Sequence, residues 1–442
     1  MNINKLIFIL LGGIVTLLLI VLALNLQSGE PATRATTSDM QIWILEDDAS
    51  DFSDIIASFQ EVYPAYKWKT IKVESFYDKR SYDLALASAF LQWKWPDIFV
   101  VNNTESSPYE NMIWGIDPVL VSPNDFRLRF APVFSQDLIL SDTWDSSIDF
   151  LKGIPVWFQS LGIYYNRKYF LRPSELTTWS GVSKEIQNVA NKYSGSIIPL
   201  ALGNGKWVTR APETLQALFA LEWNTDLVGV DSNEVRDVVS MYQAFGEDNG
   251  DNRYTALSQN SDDSDIELFS DWKVAAIVWY PRDLLAIDNA GYQKALLFAT
   301  PFPSYAGTDT STAIEYNYFA INKESTNPDF ANDFMTYIST TEWQQQFVDT
   351  YSYYLSPETS ILLSQQEKKI LPSYNIVYKN FIEEGTDFVS FNVATSSIYS
   401  SETRNILDTE IWAHELFSDL KNFLVCANGK QTTLQSLSSP CK

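Results

Sequence analysis

The order of apolar and polar residues predicts alternating strands and helices once the first forty residues have passed. Residues 41–45 form a short apolar run typical of a strand, and apolar residues then recur every three or four positions over 52–63, which predicts a helix. A second strand over 67–73, a second helix over 82–91 and an apolar strand over 98–101 continue the pattern. Strands that alternate with helices build βα units around a mainly parallel sheet, so the sequence predicts an α/β fold.

Residues 152–166, KGIPVWFQSLGIYYN, predict a strand that passes from one lobe of the molecule to another. Pro155 excludes a helix interior and favours an extended residue before it, and the aromatic and β-branched residues that follow have strand propensity. Trp157 and Gln159 would then offer an aromatic face and an amide at the mouth of a cleft. An edge strand with a buried tryptophan explains the pattern equally well. A second stretch, 274–282, repeats the order of apolar strand, aromatic residue and proline.

The beginning of the chain predicts attachment to a membrane. Residues 6–24 are an almost unbroken apolar run of 19 residues, long enough to span a bilayer, and they contain no cysteine that could carry a lipid. We expect residues 1–27 to be an uncleaved anchor, because the sequence after the run fits a signal-peptide cleavage site poorly; a cleaved and secreted form is the alternative. Residues 28–39 predict a polar stalk. Lys5 and the amino terminus carry positive charge before the apolar run, and this end should stay in the cytoplasm. The chain after residue 27 should therefore lie at the outer face of the cytoplasmic membrane.

Composition and charge narrow the class of protein. A chain of 442 residues with 45% hydrophobic residues suits two domains. Its 55 acidic and 31 basic side chains give a net charge of −24, which opposes binding to nucleic acid. Because His414 is the single histidine, a Ser-His-Asp catalytic triad and a histidine-rich metal site are both nearly excluded. The 14 Trp and 23 Tyr residues suit a sugar or another amphipathic ligand, although most of these rings should pack in the core. In an oxidising compartment Cys426 and Cys441 could form a disulfide.

Candidate polar binding residues follow the predicted strands. In a parallel sheet, ligands bind beyond the carboxyl ends of the strands. Glu46 and Asp47 follow the first strand, and Asn102, Asn103 and Glu105 follow the third. Each of these side chains could equally cap a helix or face solvent in a turn.

Three segments of the chain resemble a known family. Residues 153–170 (GIPVWFQSLGIYYNRKYF) resemble a crossing segment that begins G-x-P and continues to Y-N-K, 269–281 (FSDWKVAAIVWYP) resemble an F-x-x-G-x-A-A-M strand with its turn, and 319–347 resemble an A-I-N-K-x-S-x-N-P segment. In this order they resemble the extracellular solute-binding proteins of ABC importers, specifically the carbohydrate-type group that includes maltose-binding proteins. Asp271 and Trp272 depart from the Asn-Gly or Lys-Gly of that family, and its lipid-bearing cysteine is absent.

The resemblance implies a two-lobed clamshell in which each lobe is a mostly parallel sheet flanked by helices and the ligand is enclosed between them. Lobe one would combine residues 40–153 with 282–349, and lobe two would combine 154–281 with 350–442. The implied function is capture of a small solute, a sugar or oligosaccharide, by a monomer that delivers it to the permease subunits of an ABC importer, with no cofactor and no catalysis. The ligand-binding positions expected from the family and from the predicted cleft are Glu46, Asp47, Asn103, Glu105, Trp157, Gln159, Trp207, Tyr280, Arg282 and Tyr399.

Three other interpretations stay open at this point. Neighbouring acids, such as Glu46 with Asp47 or Glu105 with another acid, could form the carboxylate pair of a glycoside hydrolase. The same clamshell could serve as a membrane-tethered sensor. The acidic run 262–265 could bind a metal, but it lacks the glycine and final glutamate of a calcium loop and is better explained as a helix cap. Residue identity fixes neither the solute nor the choice between transport and sensing.

Overall fold

A computed structural model describes most of the chain between residues 40 and 367, together with 388–390, and every described residue belongs to one compact unit. The predicted anchor and stalk, 1–27 and 28–39, lie outside the described residues. Within the described part, no helix is long and apolar enough to cross a bilayer. The described residues are 40–45, 52–76, 78–92, 95–105, 107–141, 149–170, 172–193, 196–203, 208–223, 237–238, 240–242, 245, 264–284, 286, 296–304, 312–351, 353–367 and 388–390.

Strands and helices alternate at the start of the described chain, as predicted. The helices used below are α1 (Phe52–Val62), α2 (Lys79–Gln92), α3 (Pro123–Arg129), α4 (Pro132–Leu138), α5 (Trp179–Tyr193), α6 (Ala211–Trp223), α7 (Asp265–Ser270), α8 (Pro328–Ile338), α9 (Thr341–Thr350) and α10 (Thr359–Glu367). The strands are β1 (Met40–Leu45), β2 (Ile71–Phe76), β3 (Ile98–Asn102), β4 (Ile113–Trp114), β5 (Ile139–Ser141), β6 (Asp149–Leu151), β7 (Ile154–Ser160), β8 (Gly162–Asn166), β9 (Ala276–Trp279), β10 (Leu297–Pro301), β11 (Thr312–Asn322) and β12 (Phe388–Ser390).

The main sheet contains the predicted parallel strands. Its order is β12-β11-β3-β1-β2, and β4 and β7 also pair with β11. β1 runs parallel to β2 and β3, whereas β11 runs antiparallel to β3 and β7. All residues of β3 are buried, as expected for a strand in the middle of a sheet covered on both faces, while β2 at the edge alternates partly buried with exposed residues over its first four positions. The predicted α/β fold is therefore confirmed, and the sheet as a whole is mixed.

Strand β2 begins at Ile71, four residues later than the sequence predicts. Pro64 starts a short 3-10 helix, Pro64–Tyr66, and the chain then turns before it enters the sheet. A proline suits the first position of a helix because its missing N–H needs no partner there. This turn presents Trp68 to solvent.

The chain passes from the main sheet to a smaller one within the stretch predicted to cross. β7 pairs with β11 in the main sheet, and β8, which begins two residues after Ser160, pairs antiparallel with β9 and β10. Gly153, just before β7, lies so close to β11 that a Cβ atom there would overlap the carbonyl oxygen of Phe319. This close approach explains the glycine that opens the crossing stretch.

Two hydrophobic cores lie on either side of this crossing. The first core gathers buried residues from 40–158 and 314–362, and it includes the main sheet. The second core gathers buried residues from 161–302, and it includes the smaller sheet of β8, β9 and β10. Each core is an extended cluster of fully buried aliphatic and aromatic side chains, which is what an independent lobe requires.

The cores divide the chain at different residues from the predicted lobes. Leu297 packs in the second core because β10 pairs with β8, although 282–349 is predicted to belong to lobe one. Leu355 packs in the first core because it forms a bridge with Phe158 of β7, although 350–442 is predicted to belong to lobe two. Strand pairing, which residue identity does not reveal, decides both cases.

Helix α7 explains two details of the sequence. The Ser264 hydroxyl accepts a hydrogen bond from the Glu267 N–H at 3.4 Å, and the Glu267 carboxylate accepts one from the Ser264 N–H at 2.7 Å. Ser264 is therefore a helix cap, as predicted for the acidic run, whose residues 262 and 263 lie outside the described part. After the helix, Trp272 has a φ of 65°, the left-handed conformation that glycine adopts without strain. This is the position at which the resemblance expects a glycine.

Candidate functional site

Polar side chains gather where the main sheet meets the second core. Gln159, near the end of β7, is 0% exposed. Its Oε1 accepts a hydrogen bond from the Arg282 N–H at 3.4 Å, which links β7 to the turn after β9. Its Nε2 is buried and has no hydrogen-bond partner among the described residues. Because an unpaired buried amide N–H costs about 1 to 3 kcal/mol, an oxygen atom of a ligand that reaches it would be bound favourably.

Glu315 lies opposite Gln159 on β11 and joins several elements. Its Oε1 accepts a hydrogen bond from Asn102 Nδ2 at 2.9 Å, and the same nitrogen donates to Asn317 Oδ1 at 2.9 Å. The Tyr280 hydroxyl lies close enough to the Glu315 carboxylate for the two groups to interact electrostatically. Burial raises the pKa of Tyr280 well above its ordinary value, and the negative charge of Glu315 adds to that rise. Tyr280 is therefore a neutral hydroxyl at neutral pH.

A buried ion pair supports Tyr280 from the side of the second core. The Arg210 guanidinium donates to both carboxylate oxygens of Asp283, from Nε to Oδ2 at 2.9 Å and from Nη2 to Oδ1 at 2.5 Å, and to Glu213 Oε1 at 3.0 Å. It also lies 5.1 Å from the centroid of the Tyr280 ring. Burial alone would raise the pKa of Asp283, but the Arg210 charge and its hydrogen bonds outweigh burial and lower it. Asp283 Oδ2 also accepts from the Tyr280 N–H at 3.0 Å, so the pair fixes the turn.

A second buried acid, Asp265, forms a hydrogen bond with Thr209, the residue before Arg210. The Thr209 hydroxyl donates a hydrogen bond to Asp265 Oδ1, and the Ile266 N–H donates to the same oxygen at 3.0 Å. Asp265 is fully buried, and its Oδ2 has no partner in the described part of the chain. Burial raises the pKa of Asp265 to about 6, although the hydrogen bonds from Thr209 and Ile266 oppose the rise. Asp265, which supports the cluster through Thr209, therefore changes its charge near pH 6.

Three of the predicted binding residues, Gln159, Tyr280 and Arg282, meet in this cluster. Residue type and family motif had marked these three positions, and their role in binding stays a prediction. The other members come from the start of α6, from the turn after β9 and from the middle of β11, where no motif marked them. A weak signal was available in the three-residue spacing of an arginine and a glutamate at a helix start. The residues that the sequence analysis missed are Arg210, Glu213, Asp283 and Glu315.

Asn103 and Trp157, also predicted to bind ligand, are buried nearby and have partners within the fold. The Asn103 side chain accepts a hydrogen bond from the Tyr316 N–H at 2.8 Å and donates one to the Ile314 carbonyl at 3.2 Å. It therefore pairs with the backbone of β11 as a neighbouring strand would. Trp157 is 2% exposed, and its ring stacks on Tyr354 with 4.6 Å between centroids. Both side chains stabilise strands that border the cluster.

Most of the remaining predicted residues lie outside the described part of the chain. The backbone of Glu105 ends a short 3-10 helix, Asn103–Glu105, directly after β3. In the described chain, no group of His, Cys, Asp and Glu side chains could hold a metal ion. The predicted residues outside the described part are Glu46, Asp47, Trp207, Tyr399, Cys426 and Cys441.

Comparison with protein families identifies the class of this protein. Residues 125–371 match the model of a family described as bacterial extracellular solute-binding protein. The chain belongs to this family. The match covers more than half of the chain and includes β7 to β9 and the cluster around Gln159. It confirms the predicted class of function, which is solute binding outside the cytoplasm.

Solved structures share the fold. An ABC substrate-binding protein from Listeria monocytogenes in complex with cycloalternan is 13% identical, with 89% of this chain and 99% of that chain covered and a TM-score of 0.66. The sugar-binding protein MalE from Xanthomonas citri is 14% identical, with 91% and 98% covered and a TM-score of 0.64. The maltose-maltodextrin binding protein of Alicyclobacillus acidocaldarius is 14% identical, with 91% and 100% covered and a TM-score of 0.59. At these identities the likeness shows the fold alone, which is the α/β fold of periplasmic binding proteins. A comparison with curated protein sequences finds no match.

Proposed function

We propose that this solute-binding protein captures a carbohydrate, a sugar or oligosaccharide, between its two cores and delivers it to the permease subunits of an ABC importer. The names of similar structures support the ligand class, because they include a cycloalternan complex, a sugar-binding protein and a maltose-maltodextrin binding protein. The observation that carries the proposal is the polar cluster between the cores, in which the buried Gln159 amide has an unpaired N–H beside Glu315 and Tyr280.

The cluster has the hydrogen-bonding groups that a sugar requires. A sugar hydroxyl both donates and accepts, so it could accept from Gln159 Nε2 and donate to the Glu315 carboxylate. Such a buried network discriminates between ligands because a wrong ligand leaves polar groups unpaired. In this proposal Arg282 borders the same pocket from the turn after β9. The predicted loop residues that would complete the site are Glu46, Asp47, Glu105, Trp207 and Tyr399.

Closure of two lobes on the solute is the proposed mechanism. The two cores would be the lobes, with the chain crossing between them at Leu161 and again between residues 302 and 314. The Gln159–Arg282 hydrogen bond and the Tyr280–Glu315 interaction already join strands of the first core to the turn that ends β9 of the second core. A solute that contacts both lobes in the closed state would shift the population towards that state, which the importer would then recognise.

The proposal includes an uncleaved membrane anchor at residues 6–24, a monomeric chain at the outer face of the cytoplasmic membrane, and capture without a cofactor or a chemical step. An anchor within the chain would replace the lipid that a cysteine usually carries in this family. Because the family itself is one of binding proteins, capture explains the cluster without a catalytic role for its acids.

A thermal-shift screen of the full chain tests the proposal. The panel contains monosaccharides, linear and cyclic maltodextrins, amino acids and polyamines. A ligand at one hundred times its Kd stabilises the folded state by about 2.7 kcal/mol, enough to raise the Tm by a few degrees. We expect a shift with one class of sugar and no change in that sugar after incubation. A shift with amino acids or polyamines alone, or conversion of the sugar to a product, would overturn the proposal.

A further inference from the structure

Two exposed tryptophans suggest that the protein has a second contact surface, far from the solute cluster. Trp68, in the turn before β2, is 89% exposed, and Trp114, on β4, is 53% exposed. Val62, at the end of α1, is 62% exposed. An indole ring combines a large apolar face with one polar N–H, so it gains most where an apolar phase meets water.

Trp68 lies beside the first described residue of the chain. The Met40 N–H donates a hydrogen bond to the Thr70 carbonyl at 3.0 Å, and Met40 is paired with Ile71 in the sheet. Thr70 comes two residues after Trp68. The turn that carries this tryptophan therefore lies where the segment before Met40 joins the fold.

Strand register places Trp114 at the same end of the main sheet. Trp114 lies opposite Ile321 on β11, and Ile321 lies opposite Ile98 on β3. Ile98 is in turn opposite Ile42, two residues after Met40. The cluster around Gln159 lies at the other end, beside Asn102 at the carboxyl end of β3. Solute binding and the exposed tryptophans therefore occupy opposite ends of the sheet.

The turn that carries Trp68 is held in one conformation by the fold. Gln60 Nε2 donates hydrogen bonds to the carbonyls of Tyr66 at 3.0 Å and Lys69 at 2.9 Å, so one side chain closes the turn. The Tyr66 ring stacks on Phe330 with 4.0 Å between centroids, and its hydroxyl donates to Asp333 at 2.6 Å. A tryptophan on such a turn is presented outward at little cost in conformational entropy.

The length of chain before Met40 relates this end of the sheet to a membrane. Residues 25–39 separate Met40 from the apolar run at 6–24. If the predicted stalk behaves as a flexible polar linker, a segment of that length has a root-mean-square span of roughly 20 Å. If the run spans the membrane, Met40 stays close to the headgroups, and the end of the sheet that contains it is the nearest part of the fold.

Charges at this end are mixed. Lys67, Lys72 and Lys323 are exposed there, and so are Glu61, Glu324 and Asp329. The opposing charges nearly balance, so attraction to anionic lipids contributes little. The indole rings therefore decide whether this surface contacts a bilayer, and neutral phospholipid is a sufficient partner.

We propose that the end of the main sheet at which β1 begins rests on the membrane, with Trp68 and Trp114 in the headgroup region of the phospholipid. This inference rests on the proposed anchor, and it is independent of the solute.

Quenching of tryptophan fluorescence by brominated lipid tests this surface. The full chain is reconstituted into phosphatidylcholine vesicles with or without bromine on the acyl chains, and flotation of the vesicles is measured in parallel. Residues 1–39 contain no tryptophan, so the predicted anchor adds no signal. The test variant is Trp68→Phe with Trp114→Phe, and the matched control is Trp272→Phe, which removes a tryptophan that packs against the second core.

We expect bromine to quench part of the wild-type fluorescence, the double variant to lose at least half of that quenched part, and Trp272→Phe to retain it. A double variant that floats and is quenched like the wild type overturns the membrane surface but keeps the anchor. Failure of the wild-type chain to float overturns both, whereas a sugar-induced shift in Tm in the same preparation reports separately on the proposed function. Quenching that is absent with lipid alone and appears when importer subunits are added would assign the surface to a protein partner and overturn the inference.

Discussion

The two ends of β3 differ in how completely their polar groups are paired. At the start of the strand, Asp97 Oδ2 accepts a hydrogen bond from the Gln41 N–H at 2.9 Å, and Oδ1 accepts from Ser325 Oγ at 2.5 Å and Asn327 Nδ2 at 3.3 Å. Both carboxylate oxygens are therefore occupied. Past the other end of the strand, the cluster around Gln159 contains buried polar atoms that lack partners among the described residues.

Unpaired buried atoms also occur elsewhere in the described chain, for example Trp343 Nε1, but in the cluster around Gln159 they lie beside other polar groups where the two cores meet. Gln159 Nε2 and Glu213 Oε2 are both buried and unpaired in the described chain, although each residue uses its other polar atom. A fully paired buried network holds the fold rigid, whereas an incompletely paired one is destabilising until a ligand or water completes it. The comparison supports the proposal that Asp97 serves the fold and that the cluster around Gln159 binds the solute, and the following predictions test that division.

The largest effect is expected from Arg210→Met. Removing the guanidinium leaves Asp283 buried without its counter-charge, which should lower the free energy of unfolding by about 3 to 5 kcal/mol at pH 7. In the wild type the pKa of Asp283 is lowered, so its contribution is present above the unfolded pKa and is lost as the pH falls through the folded value. The deficit of the variant should therefore shrink at low pH. Urea denaturation at pH 7 and pH 3 measures both, because pH 3 lies below the unfolded pKa of Asp283.

A second substitution provides the control for Arg210→Met. The double variant with Asp283→Asn removes the buried charge but keeps the oxygen that accepts from the Tyr280 N–H. We expect it to recover at least half of the lost stability at pH 7. A double variant no more stable than Arg210→Met would show that the guanidinium acts through packing and not through the ion pair.

Asp265 should make the stability of the second core depend on pH. Its folded pKa of about 6 lies above the unfolded value of roughly 3.9, so the native state binds more protons between these values. The unfolding free energy attributable to Asp265 therefore falls as the pH rises from 4 to 6, by on the order of 3 kcal/mol. Asp265→Asn keeps an acceptor for Thr209 and should remove this slope. Parallel stability profiles for the variant and wild type between pH 4 and pH 7 would contradict the assignment.

The sequence predicted the parts of the fold that depend on local pattern. Apolar runs identified β1, β3 and β9 because buried strands need them, and Gly153 with Pro155 marked the crossing because few residues fit that backbone. Contacts between residues far apart in the sequence could not be predicted. Arg210 and Asp283 are 73 residues apart, and strand register alone places Glu315 opposite Gln159. Strand register and turn geometry determine which residues form such pairs, and residue type alone determines neither.

Asp97→Ala is expected to weaken the fold and leave the solute site intact. The substitution leaves the Gln41 N–H and the Ser325 and Asn327 side chains without their acceptor, which should cost about 2 to 3 kcal/mol. Affinity for the sugar identified by the thermal-shift screen should change less than twofold. Asp271→Ala is the matched control, because Asp271 is 64% exposed and its 3.2 Å ion pair with Lys273 contributes about 0 to 1 kcal/mol. A tenfold loss of affinity in Asp97→Ala would break the division between the two ends of β3.

Gln159→Leu should have the smallest effect on stability and a specific effect on binding. Its Nε2 is unpaired and its Oε1 makes one long hydrogen bond, so the substitution removes little and should change the unfolding free energy by less than about 1 kcal/mol. Gln344→Leu provides the contrast: Gln344 is equally buried and its Oε1 is also unpaired in the described chain, but its Nε2 donates to the carbonyls of Pro155 at 3.1 Å and Ile338 at 3.0 Å, so that variant should lose about 2 kcal/mol. Calorimetric titration with the identified sugar should show at least a tenfold loss of affinity for Gln159→Leu and none for Gln344→Leu, because one amide is reserved for the ligand and the other for the fold. If both variants lose stability equally and neither loses affinity, unpaired polar atoms do not mark the binding site in this protein.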